Sequence, residues 1–160
     1  MLTIIGCGNL NRSDDGVGAI VARRLQRWLQ TNSYTNVQVF DCGTAGMEVM
    51  FQARGSTSLI VIDASSTDSE AGAIYKVPGK ILEKLPEPSY NLHDFRWDNA
   101  IAVGKEIFHD DFPQDVTVYL IEAENLNLGL TLSSRVERAA EKVLSELIEI
   151  VARESKLCTN

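Results

Sequence analysis

Three ionisable side chains in this sequence have the types and spacing that metal chemistry requires. Asp15 belongs to an acidic pair, Asp14-Asp15, in a polar loop that follows a short apolar segment starting at Leu2. Asp63 ends another apolar segment, and His93 lies at the start of a predicted helix. Two carboxylates and one imidazole would form an open site suited to a first-row divalent ion. The residue pattern alone favours structural explanations for the same residues: Asp14 or Asp15 as a helix cap, Asp63 as a strand-end acid and His93 as a helix-start residue.

A phosphate site is an alternative at the same loop. Gly6 and Gly8 follow the first apolar segment as in a dinucleotide-binding turn, and Asp41 ends the next segment where a ribose-binding acid would stand. Against this, Asn11 replaces the third glycine, and the acidic pair would repel a pyrophosphate at the helix start. A phosphoacceptor switch is also disfavoured, because Glu122 and not a lysine follows the last predicted strand.

Hydrophobic periodicity predicts strands that alternate with helices. The strands are predicted at 2–6, 37–40, 59–62, 73–77 and 116–121, and the helices at 16–30, 46–53, 93–106 and 136–152. The link between the third and fourth strands is too short for a helix, so the fourth strand is predicted to be antiparallel at an edge.

These elements predict an α/β fold, a three-layer α/β/α sandwich of the phosphorylase/hydrolase-like type. Right-handed crossovers give a mixed five-stranded sheet of order 2-1-3-5-4 with strand 4 antiparallel. Strands one and three are then neighbours at the point where the winding changes direction, which is where such sheets bind ligands. Asp15 and Asp63 are therefore expected to face the same crevice.

The composition excludes several classes of function. The 160 residues carry a formal net charge of −7 at pH 7 and are 44% hydrophobic, which predicts a single domain over 1–160 with a frayed tail over about 153–160. The acidic balance disfavours nucleic acid and membrane surfaces as partners. With neither a signal peptide nor a run of about 18 apolar residues, we expect a cytoplasmic protein, and we expect a monomer.

The remaining reactive residue types have structural explanations. Cys7, Cys42 and Cys158 are odd in number and lack CxxC spacing, so neither a disulfide framework nor a zinc knuckle is expected, and the first two are predicted to be buried thiols. His109 lies beside two aspartates in a polar turn and is predicted to be a solvated surface residue. No Gly-x-Ser-x-Gly or His-Glu-x-x-His motif occurs.

Taken together, the motifs resemble those of the hydrogenase maturation proteases, the endopeptidases that process the large subunit of nickel–iron hydrogenases. The resemblance runs from residue 2 to about residue 150, and its motifs are specific in combination. The matching blocks are Gly6-Cys7-Gly8-Asn9 through Asp14-Asp15-Gly16-Val17-Gly18, then Asp41-Cys42-Gly43-Thr44-Ala45-Gly46-Met47-Glu48, then Ile62-Asp63-Ala64, and His93.

The resemblance implies an activity that the residues alone do not give. It implies an aspartyl-type endopeptidase that removes the C-terminal extension of the large-subunit precursor once nickel is in place. It also implies that the substrate supplies the nickel, that no organic cofactor takes part, and that Asp15, Asp63 and His93 are the metal-contacting and catalytic positions. Some members have glutamate at the position of Asp15, and the family pattern after His93 is more apolar than Asp94-Phe95-Arg96-Trp97.

Two loop hypotheses and two alternative functions accompany this interpretation. Gly43, Thr44, Ala45 and Gly46 could lend backbone N–H groups to a substrate chain, although their glycines could equally serve only to turn the backbone. Asp14 is the better candidate for the helix cap. The alternative functions are a non-catalytic chaperone that reads the metal site and a divergent Rossmann-type nucleotide-binding module.

Overall fold

The fold is built on a mixed five-stranded sheet. The computed structural model describes residues 1–82 and 96–157. The strands are β1 (Leu2–Cys7), β2 (Val37–Gly43), β3 (Ser58–Ser65), β4 (Ile74–Pro78) and β5 (Asp115–Glu122). Their order is β2-β1-β3-β5-β4, and β4 pairs antiparallel with β5 while the other pairs are parallel. The predicted fold class, strand order and reversed edge strand are confirmed.

The central strands are hydrophobic along their length because helices cover both of their faces. Every residue of β1 is buried, and so are the five residues from Leu59 to Asp63 in β3. Such continuous burial is typical of parallel strands inside an α/β sheet. The two strands pair in register, with Gly6 opposite Ile62, so their carboxyl ends lie side by side.

Helices form a layer on each face of the sheet. They are α1 (Val17–Gln30), α2 (Gly46–Ala53), α3 (Gly79–Leu82), α4 (Trp97–Phe108) and α5 (Ser134–Leu157). Helices α1 and α5 share one apolar cluster with the sheet, and α2 and α4 share the other. Within the described ranges, no helix is both long enough and apolar enough to cross a membrane.

Some helix boundaries differ from the predicted ones. The short helix α3 lies between the strand predicted at 73–77 and the helix predicted at 93–106, where the sequence pattern predicts no helix. Helix α4 is described from Trp97 onward, and residues 93–95 lie outside the described part. Helix α5 begins two residues early, where the Ser133 carbonyl accepts a hydrogen bond from the Glu137 N–H group. It continues to Leu157, five residues beyond the predicted end.

The start of α1 lies unusually close to the ends of β1 and β3. A Cβ atom on Gly18 would lie 2.1 Å from the Ile62 carbonyl oxygen and 2.4 Å from that of Cys7. A Cβ atom on Gly6 would lie 2.1 Å from the Gly18 carbonyl oxygen. Because backbone atoms form these contacts, no side chain can fit there. The approach holds the loop before α1, which carries Asp15, at the carboxyl edge of the sheet.

This approach predicts that Gly18→Ala destabilises the fold. Helix propensity alone would make the substitution stabilising by about 1 kcal/mol. The clash with fixed carbonyl groups outweighs that gain, and we expect a net loss of about 3 kcal/mol or more in urea unfolding. Ala102→Gly, at an exposed position of α4, is the control and should cost about 1 kcal/mol. A Gly18→Ala variant as stable as the parent chain would contradict the argument.

Candidate active site

A pocket of about 180 Å³ opens at the carboxyl ends of β1, β2 and β3. Its lining residues are Cys7, Gly8, Asp15, Gly43, Thr44, Gly46, Asp63, Arg96 and Trp97. Asp15 and Asp63 therefore meet at one pocket, at the topological switch point of the sheet. His93, the third predicted site residue, lies outside the described residues. Among the described residues, no three His, Cys, Asp or Glu side chains group into a set that could hold a metal ion.

Asp63 is the most constrained group of the pocket. Its side chain is only 9% exposed. Its Oδ2 atom accepts a hydrogen bond from Trp97 Nε1 at 2.7 Å and lies 3.3 Å from Arg96 Nη2. Its Oδ1 atom accepts a hydrogen bond from the Ala64 N–H group at 2.8 Å. Both oxygens are thus engaged, which fixes the orientation of the carboxylate.

Burial also makes Asp63 a weaker acid than an ordinary aspartate. Loss of hydration, together with a smaller effect of the nearby charge of Asp15, raises the pKa of the Asp63 carboxyl from 3.8 to about 6. The hydrogen bonds from Trp97 and Ala64 and the charge of Arg96 act in the opposite direction and limit the rise. A carboxyl with a pKa near neutrality inside a pocket is typical of a functional group.

Asp15 lies in a partly open environment at the edge of the pocket. Its Oδ2 atom accepts a hydrogen bond from the Asn9 N–H group at 3.0 Å. Its residue is half-buried, on the short 3₁₀ turn Ser13–Gly16 that leads into α1. The side chain is therefore held at the edge of the pocket and retains capacity to accept from a ligand.

The prediction that Asp14 caps α1 is wrong. The N-cap residue of α1 is Gly16, and no side chain caps this end. Asp14 is fully buried and accepts four hydrogen bonds from the loop before α5. The donors are the N–H groups of Glu124, Asn125 and Ser133 and the hydroxyl group of Ser133, at 2.7–3.0 Å. Its role is to attach that loop to the site, because so many fixed donors orient the carboxylate away from α1.

Glu122, at the end of β5, has a similar structural role. It is 2% exposed, and it accepts hydrogen bonds from the Ser65 hydroxyl, the Thr67 N–H and hydroxyl groups and the Ser69 N–H group. Desolvation would raise the pKa of this carboxyl, but these hydrogen bonds outweigh it and lower the pKa below its ordinary value. Glu122 thus organises the loop after β3.

The loop 43–46 uses most of its backbone N–H groups internally. The Gly43 N–H group donates to Asp41 Oδ1, that of Ala45 to the Cys42 carbonyl, and that of Gly46 to the Thr44 carbonyl. Gly43 has a φ of 52°, which favours glycine. The backbone of Gly43 therefore has a conformation suited to a turn-forming role. Thr44 and Ala45 of this loop are exposed, and Thr44 lines the pocket.

Two cysteines lie near the pocket as buried, free thiols, as the sequence predicts. Burial, followed by the charge of Asp63, raises the pKa of Cys7 well above its ordinary value. Burial and the charges of Glu48 and Asp41 raise the pKa of Cys42 to about 12. Neither thiol is thus disposed to ionise as a nucleophile would. His109 is exposed at the end of α4, as predicted.

Arg96 and Trp97 are pocket residues that the sequence interpretation missed. They approach Asp63 from the start of α4, 33 and 34 residues further along the chain. The polar sequence Asp94-Phe95-Arg96-Trp97, which departs from the family pattern, was the available signal. The hydrophobic periodicity of a helix does not indicate which strand end the residues at its start contact, so the contact with Asp63 could not be predicted.

The molecule is an α/β protein with a doubly wound sheet. Two carboxylates meet at the switch point of that sheet, where they form a candidate site for hydrolysis or for metal recognition. A family model described as HycI, hydrogenase maturation protease, matches residues 20–150. Because this match covers well over half of the chain, the chain belongs to the hydrogenase maturation protease family. It is an enzyme of that class, a peptide hydrolase of hydrogenase maturation, as the motifs indicated.

Individual relatives agree with this assignment. The Hydrogenase 2 maturation protease of Escherichia coli strain K12 is 26% identical over 168 positions, covering 96% of this chain and 97% of that protein. The coenzyme F420 hydrogenase subunit delta of Methanothermobacter thermautotrophicus is 27% identical over 157 positions, covering 91% of this chain and 94% of that protein. The solved hydrogenase maturating endopeptidase HybD from E. coli has the same fold, with a TM-score of 0.74 at 21% identity and coverage of 96% and 93%.

The neighbouring aspartates should respond differently to the same substitution. Asp14→Asn places an amide NH₂ against a set of buried donors, so we expect a loss of about 2–4 kcal/mol in the free energy of unfolding. Asp15→Asn keeps an oxygen that can accept from Asn9, so we expect a change below about 1 kcal/mol. Urea unfolding of both variants measures the difference. Equal losses would refute the assignment of Asp14 to structure and Asp15 to the pocket.

The raised pKa of Asp63 predicts a pH-dependent stability. The folded state holds the proton of the Asp63 carboxyl more tightly than the unfolded chain does. The contribution of Asp63 to the free energy of unfolding therefore falls as the pH rises from about 4 to above 6. Across that pH range, the free energy of unfolding of the wild type should fall by about 1–3 kcal/mol relative to that of Asp63→Asn.

Urea unfolding at several pH values between 4 and 7.5 measures this loss. Asp110→Asn, at an exposed position, is the matched control and should leave the pH dependence of the wild type unchanged. If Asp63→Asn also leaves it unchanged, the carboxyl does not have the raised pKa.

Proposed function

We propose that this chain removes the C-terminal extension of a nickel–iron hydrogenase large-subunit precursor after nickel insertion, and that the nickel in the precursor is the recognition signal. The supporting observation is that Asp15 and Asp63 line one open pocket in a member of this family. Hydrogenase maturation proteases act on large-subunit precursors, which makes a precursor the partner. Carboxylate oxygens are suitable ligands for a divalent ion, particularly alongside an imidazole.

The mechanism that we propose begins with docking of the loaded precursor. Asp15, Asp63 and His93 contact its nickel and so align the scissile peptide at the pocket. A water molecule then attacks the peptide carbonyl, which the metal or a neighbouring group polarises. The C–N bond breaks, the water oxygen remains on the new carboxyl group, and the leaving amine takes up a proton from the water. A site with few protein ligands suits this role, because the enzyme needs to recognise nickel in the substrate and not to retain it.

The properties of Cys7 favour water over a thiol as the nucleophile. Cys7 lines the pocket, but its residue is 5% exposed and burial raises the pKa of its thiol. The thiolate is the nucleophilic form of cysteine, so a thiol with a raised pKa is a poor nucleophile at neutral pH.

The start of α1 argues against the nucleotide-binding alternative. A pyrophosphate would need bare N–H groups there. In this chain the preceding 3₁₀ turn carries Asp14 and Asp15, and the Asp15 carbonyl oxygen lies 1.8 Å from where a Cβ of Gly8 would be. The backbone therefore fills the space beside the glycine turn, and the local charge is negative.

The decisive experiment is incubation with a nickel-loaded large-subunit precursor, followed by mass measurement. We expect the wild type to remove a C-terminal peptide from the loaded precursor and to leave the metal-free precursor intact. Asp63→Asn and His93→Ala should reduce the rate by at least about 100-fold, because each removes a nickel contact that aligns the peptide. Asp110→Asn should process at the wild-type rate.

Each alternative has its own outcome in this assay. A stable complex without loss of mass would identify a chaperone that reads the metal site. Equal cleavage of loaded and metal-free precursors would refute nickel as the signal, and full activity of Asp63→Asn would refute the metal-reading role of that residue.

A further inference from the structure

Asp63 receives two donors of very different character from consecutive residues. Trp97 Nε1 donates to Oδ2 at 2.7 Å, and Arg96 Nη2 lies 3.3 Å from the same oxygen. One donor is neutral and has a single N–H group, and the other is a cation with several. The two residues can therefore do different things to the same carboxylate.

The indole of Trp97 is a rigid donor. Trp97 is 6% exposed, and it packs in the apolar cluster between the sheet, α2 and α4. A side chain packed in this way keeps its rotamer, so its N–H group points in a fixed direction. Its hydrogen bond to Asp63 is itself buried. Trp97 thus sets the direction of the carboxylate whether or not a ligand is present.

The guanidinium of Arg96 is a replaceable cation. Its side chain is 64% exposed, and an exposed ion pair of this kind contributes little free energy. Arg96 is nevertheless the one cationic side chain among the described residues that line the pocket, where Asp15 supplies a second carboxylate. Arg96 therefore offsets the charge of the buried Asp63, and breaking this ion pair costs little free energy.

We propose that Arg96 and Trp97 are positioning residues for Asp63: Trp97 orients the carboxylate permanently, and Arg96 neutralises it until a cationic metal centre of the substrate displaces the guanidinium. The inference rests on the proposed function, because it treats Asp63 as a nickel contact. A metal ion near Oδ2 repels the guanidinium, and the exposed arginine side chain is free to rotate towards solvent. Arg96 therefore competes with free metal ions and keeps the empty site from binding them tightly.

The two residues should change metal affinity in opposite directions. The probe is Ni²⁺ alone, titrated into the full chain by calorimetry. Arg96→Gln removes the competing cation, so we expect Ni²⁺ to bind about fivefold more tightly than to the wild type. Arg96→Lys keeps the charge and should restore wild-type affinity. Trp97→Phe keeps the ring but removes the donor, so we expect about tenfold weaker binding.

The chain offers a matched control for each variant. Arg54→Gln makes the same change at another exposed arginine, 56% exposed and 3.5 Å from Asp111. Trp28→Phe makes the same change at the other tryptophan, whose ring stacks on Tyr34. Neither control should alter the affinity for Ni²⁺. The Trp28→Phe chain also leaves Trp97 as the sole tryptophan, so quenching of its fluorescence reports Ni²⁺ arriving beside the indole.

Several results would overturn the proposal. One is that Arg96→Gln and Arg54→Gln bind Ni²⁺ with equal affinity. Another is that Arg96→Gln shows no binding up to millimolar Ni²⁺. A third is that Trp97→Phe binds Ni²⁺ with the affinity of the wild type. Weakening by both pocket substitutions would also overturn it, since that pattern indicates general damage. Failure of the wild type to cleave loaded precursor is a separate result, which would refute the proposed function without altering this series of affinities.

Discussion

The close approach of α1 to β1 and β3 is the contact on which the site depends. It requires that Gly6 and Gly18 have no side chain, because carbonyl oxygens occupy the places where Cβ atoms would lie. Helix α1 cannot move outward without losing its apolar contacts with the sheet, nor inward without a clash. The loop before α1 consequently has one position, and Asp15 reaches the same pocket as Asp63. Backbone packing thus brings these two carboxylates to the same pocket.

Three buried carboxylates at this edge of the sheet differ in the number and charge of their hydrogen-bond donors. Asp14 and Glu122 each accept four hydrogen bonds from neutral groups of neighbouring loops, so neither has capacity to spare for a ligand. They build the rim of the site. Asp63 has two neutral donors and one exposed cation, and its pKa is raised to about 6. Asp63 therefore has fewer neutral donors than the other two carboxylates, and its cationic partner is an exposed side chain.

The sequence was sufficient for the fold and for part of the site. Continuous apolar strands and a link too short for a helix determine the strand order, because few topologies satisfy both. The roles of Asp14 and Asp15 could not be separated in this way, since the donors to Asp14 lie 110 to 119 positions away. Arg96 and Trp97 were missed for the same reason. Their effect on Asp63 depends on where α4 begins in space, which periodicity does not give.

A protein that recognises nickel in its substrate must bind free metal ions weakly, which an ordinary metal enzyme need not do. If its carboxylates bound free ions tightly, an occupied site could no longer distinguish a loaded precursor from an empty one. Weak affinity in the absence of substrate is therefore part of specificity, which is a difference between two free energies. In the role proposed for Arg96, its exposed guanidinium beside Asp63 lowers the affinity of the site for free cations at almost no cost in stability. Under the same proposal, a docked precursor adds its own protein contacts to those of the metal, so it displaces the guanidinium more readily than a free ion does.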